Sequence, residues 1–362
     1  MMEHQSNRLQ AIDVARGLSV IVMIMVHTLW MYGDVATQGG TVFGTVIHIL
    51  GKGTAAFLVA MGISYVLSRD QSVLGTIKRG LYTLGLGYMM NGLKFVVPIA
   101  VFNTMPENFI EAYSWSSPLS LSQFNYLLLT GDILQLAGLS LIFIAIIGHV
   151  IKNKWGIFAL ALLLITTSKW VSGFRLDITG VDYLLDLLWG DQYNVYFPLF
   201  PWMSCVLFGL FIGMAYKEKN YDQAFLYRSL GYSGVAMMII GAGLCFDNVD
   251  YHFADFFHLG PGGAIYLMGF TAFAYWGIDW IIRHTRPNRF YALLQYCSKR
   301  VTSLYIIQWV LICWGMGIFG YQTFSMQGVM TLIPVFMLAT FLVQYGKDRL
   351  TLVRHSLVKS VT

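Results

Sequence analysis

Charge is scarce in this sequence. Only 11% of its 362 residues are Asp, Glu, Lys or Arg, against about 25% in a typical soluble domain. That shortage excludes an ordinary water-soluble globule. Cysteine is rare too. Cys205, Cys245, Cys297 and Cys313 form no Cys-x-x-Cys pair and lie mostly in apolar segments, where a thiol acts as a small hydrophobe. Neither a disulfide framework nor a metal follows from them. The net charge of +5 is spread in small groups rather than gathered into a basic patch, so nucleic acid is not an expected partner. A low-complexity linker and a separate soluble domain are also missing. The first apolar run is interrupted early by Asp13 and Arg16 and no A-x-A site follows it, which argues against a cleaved signal peptide.

Long apolar runs are what the sequence has in quantity. Hydrophobic residues make up 57% of it and the mean hydropathy is +0.62. A membrane-spanning helix needs about 20 mostly apolar residues. Ten stretches qualify: 12–33, 44–68, 76–102, 127–151, 155–170, 196–216, 229–246, 261–282, 301–321 and 326–345. The expectation is an all-α, polytopic membrane bundle in one domain, 1–362, with an N-terminal segment 1–11 and a C-terminal tail 346–362 in the cytoplasm. The basic residues support this count. Arg8, the groups beginning at Arg69, Lys152, Lys217 and Arg283, and the group from Lys347 to Lys359 hold 18 of the 23. They fall at the two ends and in every second loop. By the positive-inside rule those segments are cytoplasmic, which predicts an N-in, C-in integral membrane protein.

Ionisable groups at bilayer depth are costly and mark sites by default. Arg16 and His27 are eleven residues apart, which at about 100° per residue returns to within about 20° of the same helix face. Asp13 is placed to pair with Arg16, and Asp34 carries the stripe to the outer surface. His48 and Lys52 in the second span, Asn91 and Lys94 in the third, Asp132 and Gln135 in the fourth and Gln308 in the ninth reach the same outer layer as His27. Each has a plainer explanation. His27 can be a packing histidine, Lys52 and Lys94 can snorkel, Gln135 and Gln308 can be interhelical glue, and Asp132 can pair with a lysine. Asp279 and Arg283 read as a structural ion pair. The agreement of five helices on one depth argues for a site. The loops 103–126 and 171–195 add Tyr113, Trp115, Tyr126, Tyr183, Trp189 and Tyr193, which suit either an interfacial belt or a vestibule for a sugar.

Several of these residues carry a resemblance. The stretch from Arg16 to His27 fits the Arg-x10-His pattern of acyltransferase family 3 membrane proteins. Asp13-Val-Ala-Arg16-Gly-Leu resembles the opening of bacterial proteins similar to heparan-alpha-glucosaminide N-acetyltransferase. Phe57-Leu-Val-Ala-Met-Gly62, Leu134-Gln135-Leu-Ala-Gly138, Phe197-Pro-Leu-Phe-Pro-Trp202 with Gly209 and Gly213, and Thr302-Ser-Leu-Tyr-Ile-Ile-Gln308 follow that family in order. Gln308 stands where many relatives have histidine, and Gln38 and His48 are the two candidates for a further luminal histidine of the animal enzyme.

The resemblance implies a transmembrane acyltransferase that moves an acetyl group from cytoplasmic acetyl-CoA to a hydroxyl or amine of an extracytoplasmic glycan, with no metal. Its partners would be membrane lipid, acyl-CoA and the glycan, with a homodimer left open. Arg16 with Lys78, Arg79 or Arg300 would hold the donor's phosphates. His27 would be the general base, since its ordinary pKa lies near working pH. Lys52, Asn91 or Gln135 would steady the developing oxyanion, and Asp132 would orient His27 or bind the acceptor. His48, Lys94, Trp202 and Gln308 complete the substrate candidates. Two other classes compete: a proton-coupled transporter of a small polar solute, and a non-catalytic subunit of a glycan-export complex.

Overall fold

The computed structural model describes residues 9–178 and 180–361, with side chains described except at 352 and 354–361. Arg8 lies outside the described residues, as do the side chains of Arg354 and Lys359. Ten helices are long and apolar enough to cross a membrane: α1 (Gln10–Tyr32), α2 (Val42–Leu67), α3 (Val73–Val101), α4 (Ile133–Val150), α5 (Lys154–Val171), α6 (Leu199–Glu218), α7 (Gln223–Asp247), α8 (Pro261–His284), α9 (Val301–Phe319) and α10 (Met326–Thr351). Each expected span has its counterpart. Among the described residues there is no strand, only the isolated bridges Gly33–Phe324 and Gly131–Val195.

The helices differ from the expected spans in three notable places. The fourth helix begins at Ile133 rather than near residue 127, because Asp132 and Gln135 form a capping box. The Asp132 carboxylate accepts from the Ile133 N–H (2.7 Å), and the Gln135 Oε1 accepts from the Asp132 N–H (3.2 Å). Asp132 is therefore a helix cap and not a residue of the helix interior. The second span is broken at Lys52-Gly53, between the helices Val42–Gly51 and Thr54–Leu67. The tenth helix does not stop at Tyr345 but continues to Val361, so part of the expected tail is helical.

The chain divides into two compact units. The first runs to Arg16 and adds Lys52–Met89 and Leu129–Leu294. Glycine lets its helices approach backbone to backbone. A Cβ at Gly62 in α2 would meet the Val206 carbonyl of α6, and one at Gly209 would meet the Val59 carbonyl. Gly80 and Gly138 make the same close crossing between α3 and α4. Within α7 and α8, Gly234 and Gly241 oppose Gly269 and Gly262.

The second unit comprises Gly17–Gly51, Met90–Leu128 and Gln295 onward. Val26, Leu29, Ile47, Val329 and Ile333 form a core cluster. The Tyr32 hydroxyl donates to the Ile312 carbonyl (2.6 Å), and its ring stacks on Phe336. The chain leaving α1 is fastened to the 320–325 loop by backbone bonds from Asp34 to Phe324 and from Phe324 to Tyr32.

Candidate functional site

The end of α3 is where the second unit departs most from regular geometry. Gly92–Val101 is a π-helix containing Pro98. Proline has no N–H to give and its ring crowds the preceding turn, so the helix widens; such segments recur at functional sites. In an i→i+5 pattern the Leu93 carbonyl would look to Pro98 for a hydrogen that does not exist. Trp314 of α9 supplies one, its indole N–H donating to Leu93 at 2.7 Å. The widened turn presents Lys94 inward. This lysine does not snorkel: it is 1% exposed, with its ammonium 4.6 Å from the Trp309 ring centre and 4.8 Å from that of Phe95. Two ring faces thus support the buried cation. Its neighbour Asn91 is fully buried and donates from Nδ2 to the Leu128 carbonyl (2.9 Å).

His27 of α1 is buried beside the same tryptophan. Its ring stacks on Trp309 with centres 3.8 Å apart and meets the edge of Tyr305 at 5.9 Å. Its Nδ1 lies 3.0 Å from the Oε1 and 2.9 Å from the Nε2 of Gln308, which is itself fully buried. Tyr305, Gln308 and Trp309 stand at i, i+3 and i+4, so a single face of α9 grips the imidazole at edge, nitrogen and ring face. One turn along α1, Trp30 lies 5.7 Å from His27 and donates its indole N–H to the His48 Nδ1 at 3.2 Å. An indole nitrogen only donates, so the Nδ1 of His48 is an acceptor in this bond. Of the expected site residues, His27, His48, Asn91, Lys94 and Gln308 belong to this unit, and the aromatic residues Trp30, Tyr305 and Trp309 knit four of them together. Those rings were not singled out in the sequence. The i, i+3, i+4 spacing of Tyr305, Gln308 and Trp309 on one helix was the available signal.

The remaining candidates belong to the first unit. Arg16 is half-buried on α1, and Lys78 and Arg79 are exposed near the start of α3. Arg79 donates from Nη2 to the Asp70 carbonyl (2.9 Å) and to the Thr76 hydroxyl (3.0 Å). Lys52, at the break in α2, carries its ammonium over Phe253 and Phe256 at 4.8 and 5.0 Å. Trp202 is buried, donates to the Phe257 carbonyl (2.7 Å) and packs its ring on Phe197 and Phe256. Gln135 packs against Gly87, and its buried Nε2 has no hydrogen-bond acceptor among the described residues.

Outside the spans, the loop that Trp202 holds contains a close pair unnoticed in the sequence. His258 Nδ1 lies 2.5 Å from Asp255 Oδ2, and the hydrogen bond from His258 holds the Asp255 carboxyl down at about 2. Arg300, an expected phosphate ligand in the second unit, is already engaged. Its Nε is 2.7 Å from Asp348 Oδ2, and its guanidinium carbon lies over the Tyr296 ring, 4.1 Å from the ring centre. Burial, with the hydrogen bond to Asp348, pushes the Tyr296 hydroxyl up to about 12. The expected Asp279–Arg283 ion pair is present at 2.7 Å.

The family model described as heparan-alpha-glucosaminide N-acetyltransferase, catalytic, matches residues 8–244, about two thirds of the sequence. No curated protein matches the chain.

Proposed function

Because this chain belongs to the heparan-alpha-glucosaminide N-acetyltransferase catalytic family, an integral membrane acetyltransferase family, we propose that it moves an acetyl group from cytoplasmic acetyl-CoA to an amine or hydroxyl of an extracytoplasmic amino sugar. The observation that carries this reading is the state of His27. A histidine in a membrane helix is held at one ring nitrogen by a buried amide and across its ring face by Trp309, a tryptophan that also carries a buried lysine. Packing alone does not call for a titratable ring fixed in orientation on an indole that a buried lysine shares.

The chemistry divides among the residues as follows. His27 is the general base that takes the proton of the acceptor amine or hydroxyl as it attacks the thioester carbonyl. The thioester C–S bond then breaks, and the CoA thiolate is the leaving group. Lys94, held close to the His27–Trp309 stack, supplies positive charge for the developing oxyanion. Arg16, Lys78 and Arg79 are assigned the donor's phosphates; the two on α3 are exposed cations, as a highly charged nucleotide requires. Arg300 is left out of that set because Asp348 occupies it. Asp132 is given no proton to carry, since its carboxylate caps α4. The distribution of basic residues supports both termini lying in the cytoplasm, and the resemblance to bacterial proteins supports the bacterial inner membrane as the location.

The test is acyl transfer by protein purified in lipid nanodiscs, with acetyl-CoA as donor and glucosamine as acceptor, followed by thiol release. His27→Ala is expected to reduce the rate by about 10²-fold or more while the protein stays monodisperse. Equal rates in the wild type and the variant would sink the reading. The break in α2 at Lys52-Gly53 favours the transporter alternative, because discontinuous helices line many transport paths. That alternative requires solute flux into vesicles with no consumption of acetyl-CoA.

A further inference from the structure

Tyr113, Trp115 and Tyr126 in the 103–126 loop fit two descriptions by sequence, a belt at the lipid interface or a vestibule for a sugar. Their packing separates the two. Belt residues stand apart around a bundle, each with its body in lipid and its polar tip in water. These three gather instead. Tyr113 stacks on Trp115 with ring centres 4.9 Å apart, and Tyr126 packs edge-to-face on the two at 6.2 and 5.3 Å. The cluster is half-buried, and Ser114 and Ser116 on either side of Trp115 are exposed. It is also joined to the candidate site within the second unit. Tyr113 packs edge-to-face on Phe109 at 5.4 Å, Phe109 stacks on Phe95 at 5.8 Å, and Phe95 carries the Lys94 ammonium at 4.8 Å. Phe109 and Phe95 are buried, so they set the outer cluster at a fixed offset from Lys94. The Glu107 carboxylate, which accepts from the Ser117 N–H and hydroxyl, and the Asn108 amide, which donates to the Tyr321 carbonyl, fasten the loop.

We propose that Tyr113, Trp115 and Tyr126 form a stacking subsite for a sugar linked to the one that is acetylated, so that the acceptor is a glucosamine oligosaccharide rather than the free sugar. The inference rests on the acetyltransferase reading and goes beyond it by giving the acceptor a length and a place to rest. The chemistry of the cluster fits a pyranose. The faces of that ring are lined with C–H groups and its rim with hydroxyls, matching an aromatic face flanked by serine hydroxyls. Charge selects the amino sugar. The loop from 103 to 126 has Glu107 and Glu111 but no Lys, Arg or His, and Glu111 is exposed two residues before Tyr113. An unacetylated sugar amine is largely a cation near neutral pH, attracted both by a carboxylate and by an aromatic face. A linked second sugar adds its contacts without a second association step.

The experiment compares acceptors of two lengths on full-length protein in nanodiscs. With acetyl-CoA as donor, the wild type is expected to show a KM for the β-1,4-linked glucosamine tetramer about 10-fold or more below that for glucosamine. Trp115→Ala should raise the tetramer KM by about 10-fold and keep most of kcat. Trp115→Phe, which still offers a ring face, should retain most of the advantage. Calorimetry without acetyl-CoA reads the subsite alone. There the tetramer should bind the wild type about 10-fold more tightly than it binds Trp115→Ala, and more tightly than the fully N-acetylated tetramer, which lacks the positive charges. Equal tetramer affinity in the wild type and Trp115→Ala is what an interfacial belt gives and would overturn the inference. So would an equal loss of rate with both acceptors, which marks the cluster as the core of the loop, or an N-acetylated tetramer that binds as tightly. The calorimetry needs no donor. A tetramer that binds through Trp115 and is not acetylated therefore refutes the enzyme reading and leaves the subsite standing.

Discussion

A lysine that is 1% exposed inside a membrane helix is the least expected residue here. Snorkelling is the normal solution for such a side chain, and Lys94 does not use it; its ammonium rests on the faces of Trp309 and Phe95 instead. Cation–π contacts of a desolvated ammonium are worth about 2 kcal/mol each, so the two rings offset part of its desolvation. If Lys94 stabilises the oxyanion, Lys94→Met should remain folded and lose acetyl transfer by about 10²-fold. Thermal melting followed alongside thiol release separates the two effects. Trp309 has a double contact, with the ammonium and with the His27 ring, so Trp309→Leu should lower both stability and rate. An unchanged rate in that variant would show that the stack does not serve the reaction.

At the scale of the element, the start of α4 and the π-segment of α3 each have a named cause, a capping box and Pro98. Asp132 caps α4, and Asp132→Ala should destabilise the protein by about 1 kcal/mol, read as a lower melting temperature with kcat preserved. A large loss of kcat at unchanged stability would return Asp132 to the reaction. Trp314→Phe strips the Leu93 carbonyl of its donor beside Pro98 and should loosen the π-segment, seen as faster hydrogen exchange over residues 92–101. Gly209→Val places methyl groups against the Val59 carbonyl of α2 and should cost about 3 kcal/mol or more through overpacking; folded yield checks it. The 255–258 loop carries a pH dependence of known sign. Asp255 is held at about 2 in the folded protein, below the ordinary value of about 3.9. The stability it contributes is therefore present above about pH 4 and lost as pH falls toward 2. The Asp255 side chain is about half exposed, so the difference between the wild type and Asp255→Asn should be about 1 kcal/mol at most at pH 6 and fade toward pH 2.

For the whole molecule the decisive property is orientation across the bilayer, and the proposed one rests on the basic residues at the two ends and in alternate loops. In a background without its four cysteines, Ser117→Cys should react with a membrane-impermeant maleimide in intact cells. Gln71→Cys should react only after lysis. The reverse pattern would invert the topology and turn Arg16, Lys78 and Arg79 away from a cytoplasmic donor. The motifs shared with the family also sort at this scale. Gly62, Gly138, Gly209, Gln135 and Trp202 are packing and capping residues of the first unit. His27 and Gln308 meet in the second.

By itself the amino-acid order determined the all-helical membrane class, the ten spans to within a few residues at most ends, and the layer to which His27, Lys94 and Gln308 belong. Those are properties of local composition and of distance along a helix axis, which hydropathy and a rise of about 1.5 Å per residue report directly. Rotation and partnership were decided only in three dimensions. Depth did not reveal that Asp132 caps a helix, that Arg300 is already paired, or that Pro98 opens a π-turn closed by a tryptophan more than two hundred residues away. Nor did it show that Tyr305, Gln308 and Trp309 enclose the imidazole. Each of these depends on which helix faces which, and an apolar stretch that must satisfy lipid on one side and protein on another carries little periodic signal to say so.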